Sequence, residues 1–240
     1  MAEYRLFQRR LGLSRVVIVS PSSYGFDNRC LSDALAAFGG SARGIAVIKT
    51  DTPDSELREL HAHGVRGIRL YAEKGRVLPE ALATYAKRIA GLGWHIQFVV
   101  GRESGALVRF ERALSVLPCR VVIDHMGYLS HPVALNDAGF AVLRRLLDGG
   151  NAWVKLSGVY LRSSQKRPPY DDCDALAMEL ASAAPERCVW GTDWPHTGVK
   201  EAACKPDGAE LFDLLSRWVP DAATRYKLLV TNPQALYWAC

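Results

Sequence analysis

The chain has 240 residues, of which 49% are hydrophobic and 23% are charged, and its formal net charge is +5 at pH 7. This balance is typical of a globular protein and excludes a disordered chain. No apolar run reaches about 18 residues, which argues against a membrane span. The basic residues are scattered, without a stripe of interleaved aromatics, which argues against nucleic-acid binding.

The cysteines and the first residues of the chain indicate the cellular compartment of the protein. The six cysteines show no C-x-x-C spacing, which favours reduced thiols over a zinc site or a disulfide framework. The opening residues MAEYRLFQRR contain no apolar signal-peptide core. We therefore expect a cytoplasmic protein.

The length of the chain fits one large α/β domain or two small ones.

Secondary structure alternates regularly along the chain. A helix is predicted at 3–12, ahead of the first strand. Short apolar runs rich in β-branched residues then predict seven strands, at 16–20, 44–48, 65–71, 95–100, 120–125, 152–157 and 188–193. Amphipathic patterns predict helices at 54–63, 79–91, 105–117, 136–148, 171–183, 207–218 and 222–230. Strand–helix alternation with short connections predicts a parallel sheet.

Seven strands are one fewer than a (β/α)8 TIM barrel contains. Helical segments after the last strand suffice to close such a ring, whereas only a helix precedes the first strand. We predict one α/β domain over residues 1–240, a TIM barrel that lacks its N-terminal first strand. A doubly wound open sheet is the alternative, but residues 20–25 (SPSSYG) make a poor glycine-rich phosphate turn.

Two residues at predicted strand ends are candidates for catalysis, because barrel active sites collect at the carboxyl ends of the strands. Asp193 follows an apolar strand within the segment 189–196 (VWGTDWPH), where a carboxylate suits a general base. His125 ends another strand within 122–127 (VIDHMG). The structural alternatives are a helix-capping Asp193 and a buried core histidine at position 125.

Further polar residues at strand ends or in the following loops are candidates for substrate binding, and their arginines suit carboxylates. This set is Arg69, Arg76, Arg162, Ser22, Gln97 and His196. The alternatives are a barrel ion pair for Arg69, ordinary loop or turn roles for Arg76, Arg162 and Ser22, and a hydrogen bond to a neighbour for Gln97. Lys155 lies inside a strand, where we expect a structural ion pair.

One histidine pair resembles a metal motif. His61 and His63 fall near the end of a predicted helix, where residues two apart point roughly 200° away from each other. We therefore predict that this pair is a solvated helix face and not a metal site.

Several segments together resemble the amidohydrolase superfamily, in its amidohydrolase-2 branch. They occur in order over essentially the whole chain, at 27–29 (DNR), 64–69 (GVRGIR), 93–95 (GWH), 122–127 (VIDHMG), 189–196 (VWGTDWPH) and 228–233 (LLVTNP). The resemblance implies a TIM-barrel hydrolase that opens the lactone ring of a small carboxylated, anionic substrate.

The resemblance also implies roles for the candidate residues. Asp193 would deprotonate the attacking water and return the proton to the leaving oxygen, and His125 would polarise the carbonyl. Substrate carboxylates would be held by Arg69, Arg76, Arg162 and Ser22. The resemblance to lactonases of this branch implies catalysis without a bound metal, so no cofactor is required. Other relatives in the superfamily hold Zn²⁺ or Mn²⁺, and if this chain does so, His125 and Asp193 are the candidate ligands.

Two other functions stay open. One is a metal-dependent decarboxylase, or a hydrolase of another bond, in the same branch. The other is a non-catalytic barrel remnant that binds a ligand or a subunit, because an omitted strand exposes two strand edges. Those edges also allow a homo-oligomer.

The first strand of the family ends in a His-x-His pair, and no such pair occurs ahead of the first predicted strand of this sequence. We therefore predict that the reading frame ahead of Met1 encodes an apolar strand ending in His-x-His. Genomic sequence upstream of the start codon checks this prediction. An upstream frame without such a strand would contradict it and favour the barrel remnant.

Overall fold

A curled sheet of seven parallel strands forms the centre of the computed structural model, which describes residues 2–72, 75–103, 105–130 and 134–239. Each strand pairs with the next in chain order. The strands are β1 (Val16–Val19), β2 (Ala42–Ala46), β3 (Val65–Tyr71), β4 (His95–Val99), β5 (Val121–Ile123), β6 (Ala152–Leu156) and β7 (Cys188–Trp190).

Helices cover the outer face of this sheet. Their apolar stripes and the outward strand residues share one buried core, which includes Ile68, Ile96, Phe98 and Leu82. The helices are α1 (Ala2–Arg10), α2 (Arg29–Phe38), α3 (Asp54–Ala62), α4 (Pro79–Ala90), α5 (Ala106–Ser115), α6 (Ala138–Asp148), α7 (Asp174–Ala183), α8 (Gly208–Trp218) and α9 (Ala222–Tyr226), which continues into the π-helical segments Lys227–Thr231 and Gln234–Trp238.

A second, smaller apolar cluster fills the inside of the curled sheet. Inward side chains of the strands, such as Ile45, Val122 and Trp153, pack there against Leu236 and Tyr237 of the last helical segment. The Tyr237 ring meets His95, at the start of β4, edge-on at 5.3 Å. Apolar packing therefore occupies the interior near this end of β4 and leaves the carboxyl ends of the strands for polar groups.

The open side of the sheet lies between β1 and β7, which are its two outer strands. Helix α1 bridges this side, because Tyr4 packs against Phe38 of α2 and against Trp194 beyond β7, with ring centroids 5.9 and 5.1 Å apart. Arg10 also pairs with Asp207, at the start of α8, at 2.9 Å. A cavity of about 750 Å³ extends from the carboxyl ends of the strands to this opening.

The parallel α/β sheet and its seven strands confirm the predicted alternation, but several boundaries differ. Strand β2 was predicted at 44–48 and runs two residues earlier, because Val47 leaves the sheet to exchange two hydrogen bonds with the Asn28 side chain. Strand β7 ends at Trp190, not at Asp193. The helix α2 was not among the predicted helices. That a first strand is missing remains a prediction.

None of the helices in the described residues is long and apolar enough to cross a membrane.

Candidate active site

A buried carboxylate joins four neighbouring strands at the carboxyl end of the sheet. Asp124 follows β5 directly, and its side chain is 1% exposed. Arg69 of β3 approaches Asp124 Oδ2 to 2.8 Å, and Lys155 of β6 approaches Oδ1 to 2.9 Å. Gln97 of β4 donates to Oδ2 at 3.0 Å and accepts from Lys155 Nζ at 2.8 Å.

These partners keep Asp124 ionised. Burial alone would raise the pKa of the Asp124 carboxyl, but the neighbouring His125, Lys155 and Arg69 outweigh it and hold that pKa far below its usual range. In the same way, burial opposes the charge of Arg69, yet the Asp124 carboxylate raises the pKa of the guanidinium. The group is therefore a buried ion network with one anion and two cations.

His125 lies between this network and Asp193. Its Nε2 is 3.6 Å from Asp124 Oδ2 and 3.9 Å from Asp193 Oδ1, while its Nδ1 lies 2.9 Å from Ser157 Oγ. Two carboxylates around Nε2 favour a proton on that nitrogen, so the Ser157 hydroxyl group donates to Nδ1. The His125 ring thus presents an N–H donor beside Asp193.

Backbone conformation brings these side chains together. His125 and Asp193 have φ angles of 49° and 53°, a left-handed conformation that is uncommon outside glycine. Met126 and His196 share it, with φ angles of 52° and 60°. Such residues cluster at functional sites, where the surrounding packing holds strained turns in place. Here the turns direct the side chains that follow β5 and β7.

A glycine makes room for the His125 ring. Gly158, with φ 62°, follows Ser157, and a Cβ atom placed on it would lie 2.6 Å from His125 Nδ1 and 2.9 Å from Leu161 Cδ1. Any side chain at this position would therefore displace the imidazole ring.

Tyr160 and His196 support Asp193 from the opposite side. The Tyr160 hydroxyl group donates to Asp193 Oδ2 at 2.5 Å, and His196 Nδ1 lies 3.3 Å from the same hydroxyl group. Burial lowers the pKa of His196 although the Asp193 charge opposes this shift. The Asp193 side chain is 24% exposed, far more than Asp124.

The structure brings most of the predicted site residues together. The large cavity is lined by the four residues Asp193, His125, Arg69 and Gln97, together with Asp124, Lys155 and Ser157. Lys155 forms the ion pair that the sequence predicts. Arg69 also forms an ion pair, which was the structural alternative for this residue, and it lines the cavity as well.

The remaining candidates lie around these residues. Arg76 and Arg69 both contact the Tyr71 ring, with guanidinium carbons 5.7 and 5.1 Å from its centroid. The Tyr71 hydroxyl group donates to the Ser20 carbonyl oxygen at 3.5 Å, and the Ser22 side chain opposes the burial that raises the pKa of Tyr71. His196 reaches Asp193 through Tyr160. Arg162 instead donates to Ser130.

Metal-ligating residues are sparse in the described parts of the chain, where no group of three or more His, Cys, Asp or Glu side chains could hold an ion. His125 and Asp193 offer two donors, whereas catalytic zinc usually has three protein ligands. The described residues therefore do not make a complete metal site.

His61 does not ligate a metal either: its Nδ1 accepts a hydrogen bond from Trp94 Nε1 at 2.9 Å, and the two rings stack. The prediction of a solvated helix face is correct for the exposed His63 and wrong for His61, which is half-buried against Trp94.

A curled parallel α/β sheet with helices outside and polar residues at the carboxyl ends of its strands matches the architecture of TIM-barrel enzymes, except for the opening between β1 and β7. The Amidohydrolase family profile matches residues 1–238, and the chain belongs to this family.

Curated relatives of this chain act on lactones or pyrones by name. It is 35% identical to a 2-pyrone-4,6-dicarboxylate hydrolase from Comamonas testosteroni, over 99% of this chain and 80% of that protein. It is 34% identical to a D-galactarolactone isomerase from Agrobacterium fabrum, over 98% and 80% of the two chains. A 4-sulfomuconolactone hydrolase from Rhizobium radiobacter is also 34% identical, over 99% of this chain and 80% of that protein.

Among solved structures, that of Agrobacterium tumefaciens ATU3138 without ligand is similar, with a TM-score of 0.90 and 33% identity. The alignment covers 100% of this chain and 84% of that one.

The Asp124 network yields a stability prediction. Asp124→Asn removes the anion and leaves Arg69 and Lys155 buried without their counter-charge, so we expect the free energy of unfolding to fall by about 3–5 kcal/mol at neutral pH. Because folding lowers the pKa of Asp124, its contribution is present above about pH 4 and is lost as the pH falls further. Urea unfolding at several pH values measures both effects.

The matched control for that substitution is Asp27→Asn. Asp27 pairs with Arg29 on the surface, with side chains 43% and 89% exposed, and its loss should leave the unfolding curve unchanged. Equal effects of the two substitutions would contradict the central role of Asp124.

The position of Gly158 yields a second prediction. Gly158→Ala should push the His125 ring away from Ser157 and lower the free energy of unfolding by about 1–3 kcal/mol. Gly105→Ala is the control, because Gly105 is also left-handed, with φ 71° and ψ 5°, but has no atom within 4 Å of its added Cβ. Thermal unfolding of the two variants should differ, and equal melting temperatures would show that the His125 ring tolerates the added methyl group.

Proposed function

We propose that this chain hydrolyses the lactone ring of a small carboxylated substrate. The observation that carries the proposal is the pair formed by Asp193 Oδ1 and His125 Nε2, 3.9 Å apart in the wall of the large cavity. Asp193 is partly exposed, as a base that meets water must be, and His125 presents an N–H donor next to it. The names of the curated relatives support a cyclic ester as the substrate.

In the proposed reaction, Asp193 takes a proton from water while the water oxygen attacks the lactone carbonyl carbon. The Nε2–H of His125 donates to the carbonyl oxygen and stabilises the developing oxyanion. When the tetrahedral intermediate collapses, the bond to the ring oxygen breaks and Asp193 returns its proton to that oxygen. The product is the open-chain hydroxy acid. No step requires a metal or an organic cofactor.

Substrate carboxylates are proposed to bind on the Arg69 side of the cavity. Arg69 contacts Asp124 through Nη2, and its Nε has no hydrogen-bond partner among the described residues. Arg76 and Arg69 both contact the Tyr71 ring, and Ser22 lies near its hydroxyl group, so we propose that these side chains serve the same substrate carboxylate.

Three other candidates for substrate binding contact residues of the protein. Gln97 is committed to Asp124 and Lys155, and His196 acts through Tyr160. Arg162 donates to Ser130 through Nη2.

We further infer that residues 1–240 form one domain, and that an additional strand between β7 and β1 completes an eight-stranded barrel. Two observations support this strand. The two outer strands flank the opening that α1 bridges, and the cavity continues into it along β1. A His-x-His pair at the end of that strand would lie beside Asp193. The free thiols support a cytoplasmic location.

A lactone isomerase is the second candidate, favoured by the relative from Agrobacterium fabrum. The product separates the two functions. Hydrolysis of a carboxylated lactone such as D-galactarolactone releases an open-chain acid, whereas isomerisation gives another lactone of the same mass. NMR spectra of the reaction mixture distinguish these products.

The base role of Asp193 is tested by Asp193→Asn. Because general-base catalysis contributes about 10²- to 10⁴-fold, we expect kcat on the lactone to fall by that factor while the melting temperature stays unchanged. Asp213→Asn, on the exposed face of α8, is the matched control and should keep full activity. Wild-type turnover by Asp193→Asn would remove Asp193 from the base role.

A chelation arm addresses the metal-dependent alternative. Turnover of the wild-type chain is measured before and after dialysis against EDTA. Unchanged turnover supports the mechanism above, whereas a loss that Zn²⁺ or Mn²⁺ restores would favour the metal-dependent enzyme.

A further inference from the structure

One of the two carboxylate oxygens of Asp193 is held by a tyrosine. Tyr160 lies in the short helical turn Val159–Leu161 that follows β6, and its hydroxyl group donates to Asp193 Oδ2 at 2.5 Å. On its other side, the hydroxyl group is 3.3 Å from His196 Nδ1, and the two rings meet edge-on with centroids 5.4 Å apart. The phenol is therefore fixed by two partners.

The protonation state of Tyr160 suits a permanent donor. Burial raises the pKa of the Tyr160 phenol, and the negative charge of Asp193 and the hydrogen bond to it raise that pKa further. The phenol therefore keeps its proton at neutral pH, and it donates that proton to the Asp193 carboxylate as a hydrogen bond.

This contact makes the two Asp193 oxygens different. Oδ2 is occupied by Tyr160, whereas Oδ1 faces His125 Nε2 at 3.9 Å, too far for a direct hydrogen bond. Rotation of the carboxylate about its Cβ–Cγ bond would break the bond to Tyr160. The geometry thus keeps Oδ1 directed towards His125.

We propose that Tyr160 is a positioning residue for Asp193: it holds Oδ2, so that Oδ1 is the oxygen that accepts the proton of the attacking water. This proposal rests on the proposed lactone hydrolysis. Tyr160 does not need to touch the substrate to act in this way, so its loss should slow the chemical step more than it weakens binding.

Tyr160→Phe removes only the hydroxyl group and is the first test, with 2-pyrone-4,6-dicarboxylate and D-galactarolactone as substrates. A hydrogen bond to a charged group corresponds to about a 10- to 100-fold change in rate, so we expect kcat to fall by that factor while KM stays within about threefold. Tyr85→Phe, on the half-buried face of α4, is the control and should leave kcat unchanged. Melting temperatures confirm that both variants fold.

Two kinetic outcomes would overturn the proposal. If kcat of Tyr160→Phe stays within about twofold of the wild-type value, the hydroxyl group does not position the base. If KM rises while kcat is kept, Tyr160 binds the substrate instead.

A second measurement does not depend on turnover. Proteins labelled with ¹³C at the tyrosine Cζ atom give one resonance for each tyrosine, and the Tyr160 resonance is the one that Tyr160→Phe removes. Asp193→Asn replaces the charged acceptor of the Tyr160 hydroxyl group, so the Tyr160 resonance should shift while that of Tyr85 stays in place. An unmoved Tyr160 resonance would overturn the contact itself.

The two measurements separate this proposal from the proposed function. A shifted Tyr160 resonance without wild-type turnover of any lactone would overturn the proposed hydrolysis and the base role with it, while the hydrogen bond would stand. Turnover by the wild type together with a full kcat in Tyr160→Phe would overturn the positioning role alone.

Discussion

The buried Asp124 carboxylate is the constraint on which the rest of the site depends. An ionised carboxylate with a 1% exposed side chain is stable only where cations and donors replace its water, and here Arg69, Lys155 and Gln97 do so. Each of the three partners comes from a different strand, so the ion network fixes β3, β4 and β6 relative to the residue that ends β5. Because His125 is the next residue in the chain, the ion network that holds Asp124 also fixes the position of His125.

Periodicity and strand-end chemistry predict much of this fold. Runs of β-branched residues identify the seven strands because parallel strands buried on both faces are apolar along their whole length. The positions of Asp193 and His125 follow from the rule that parallel strands place their carboxyl ends at one edge of a sheet. Both residues lie there, in the wall of one cavity.

Other features depend on partners that are distant in the sequence. The sequence alone does not decide whether Arg69 forms an ion pair or binds the substrate, because its partner Asp124 is 55 residues away. The end of β2 depends on the amide of Asn28, which replaces a strand as the partner of Val47. Nothing in the local sequence around Tyr160 indicates that its hydroxyl group meets Asp193. These contacts arise from how the strands are placed and not from any local pattern.

The two carboxylates of the site show how one chemical group takes two roles. Asp124 is enclosed and has both oxygens committed to cations, so it stays charged and is closed to water. Asp193 is 24% exposed and has one oxygen committed to Tyr160. His125 lies between them with its N–H directed towards both, and Ser157 fixes that orientation from behind. The difference in burial and partners, and not in residue type, is what leaves Asp193 Oδ1 as the carboxylate oxygen that we propose takes a proton from water.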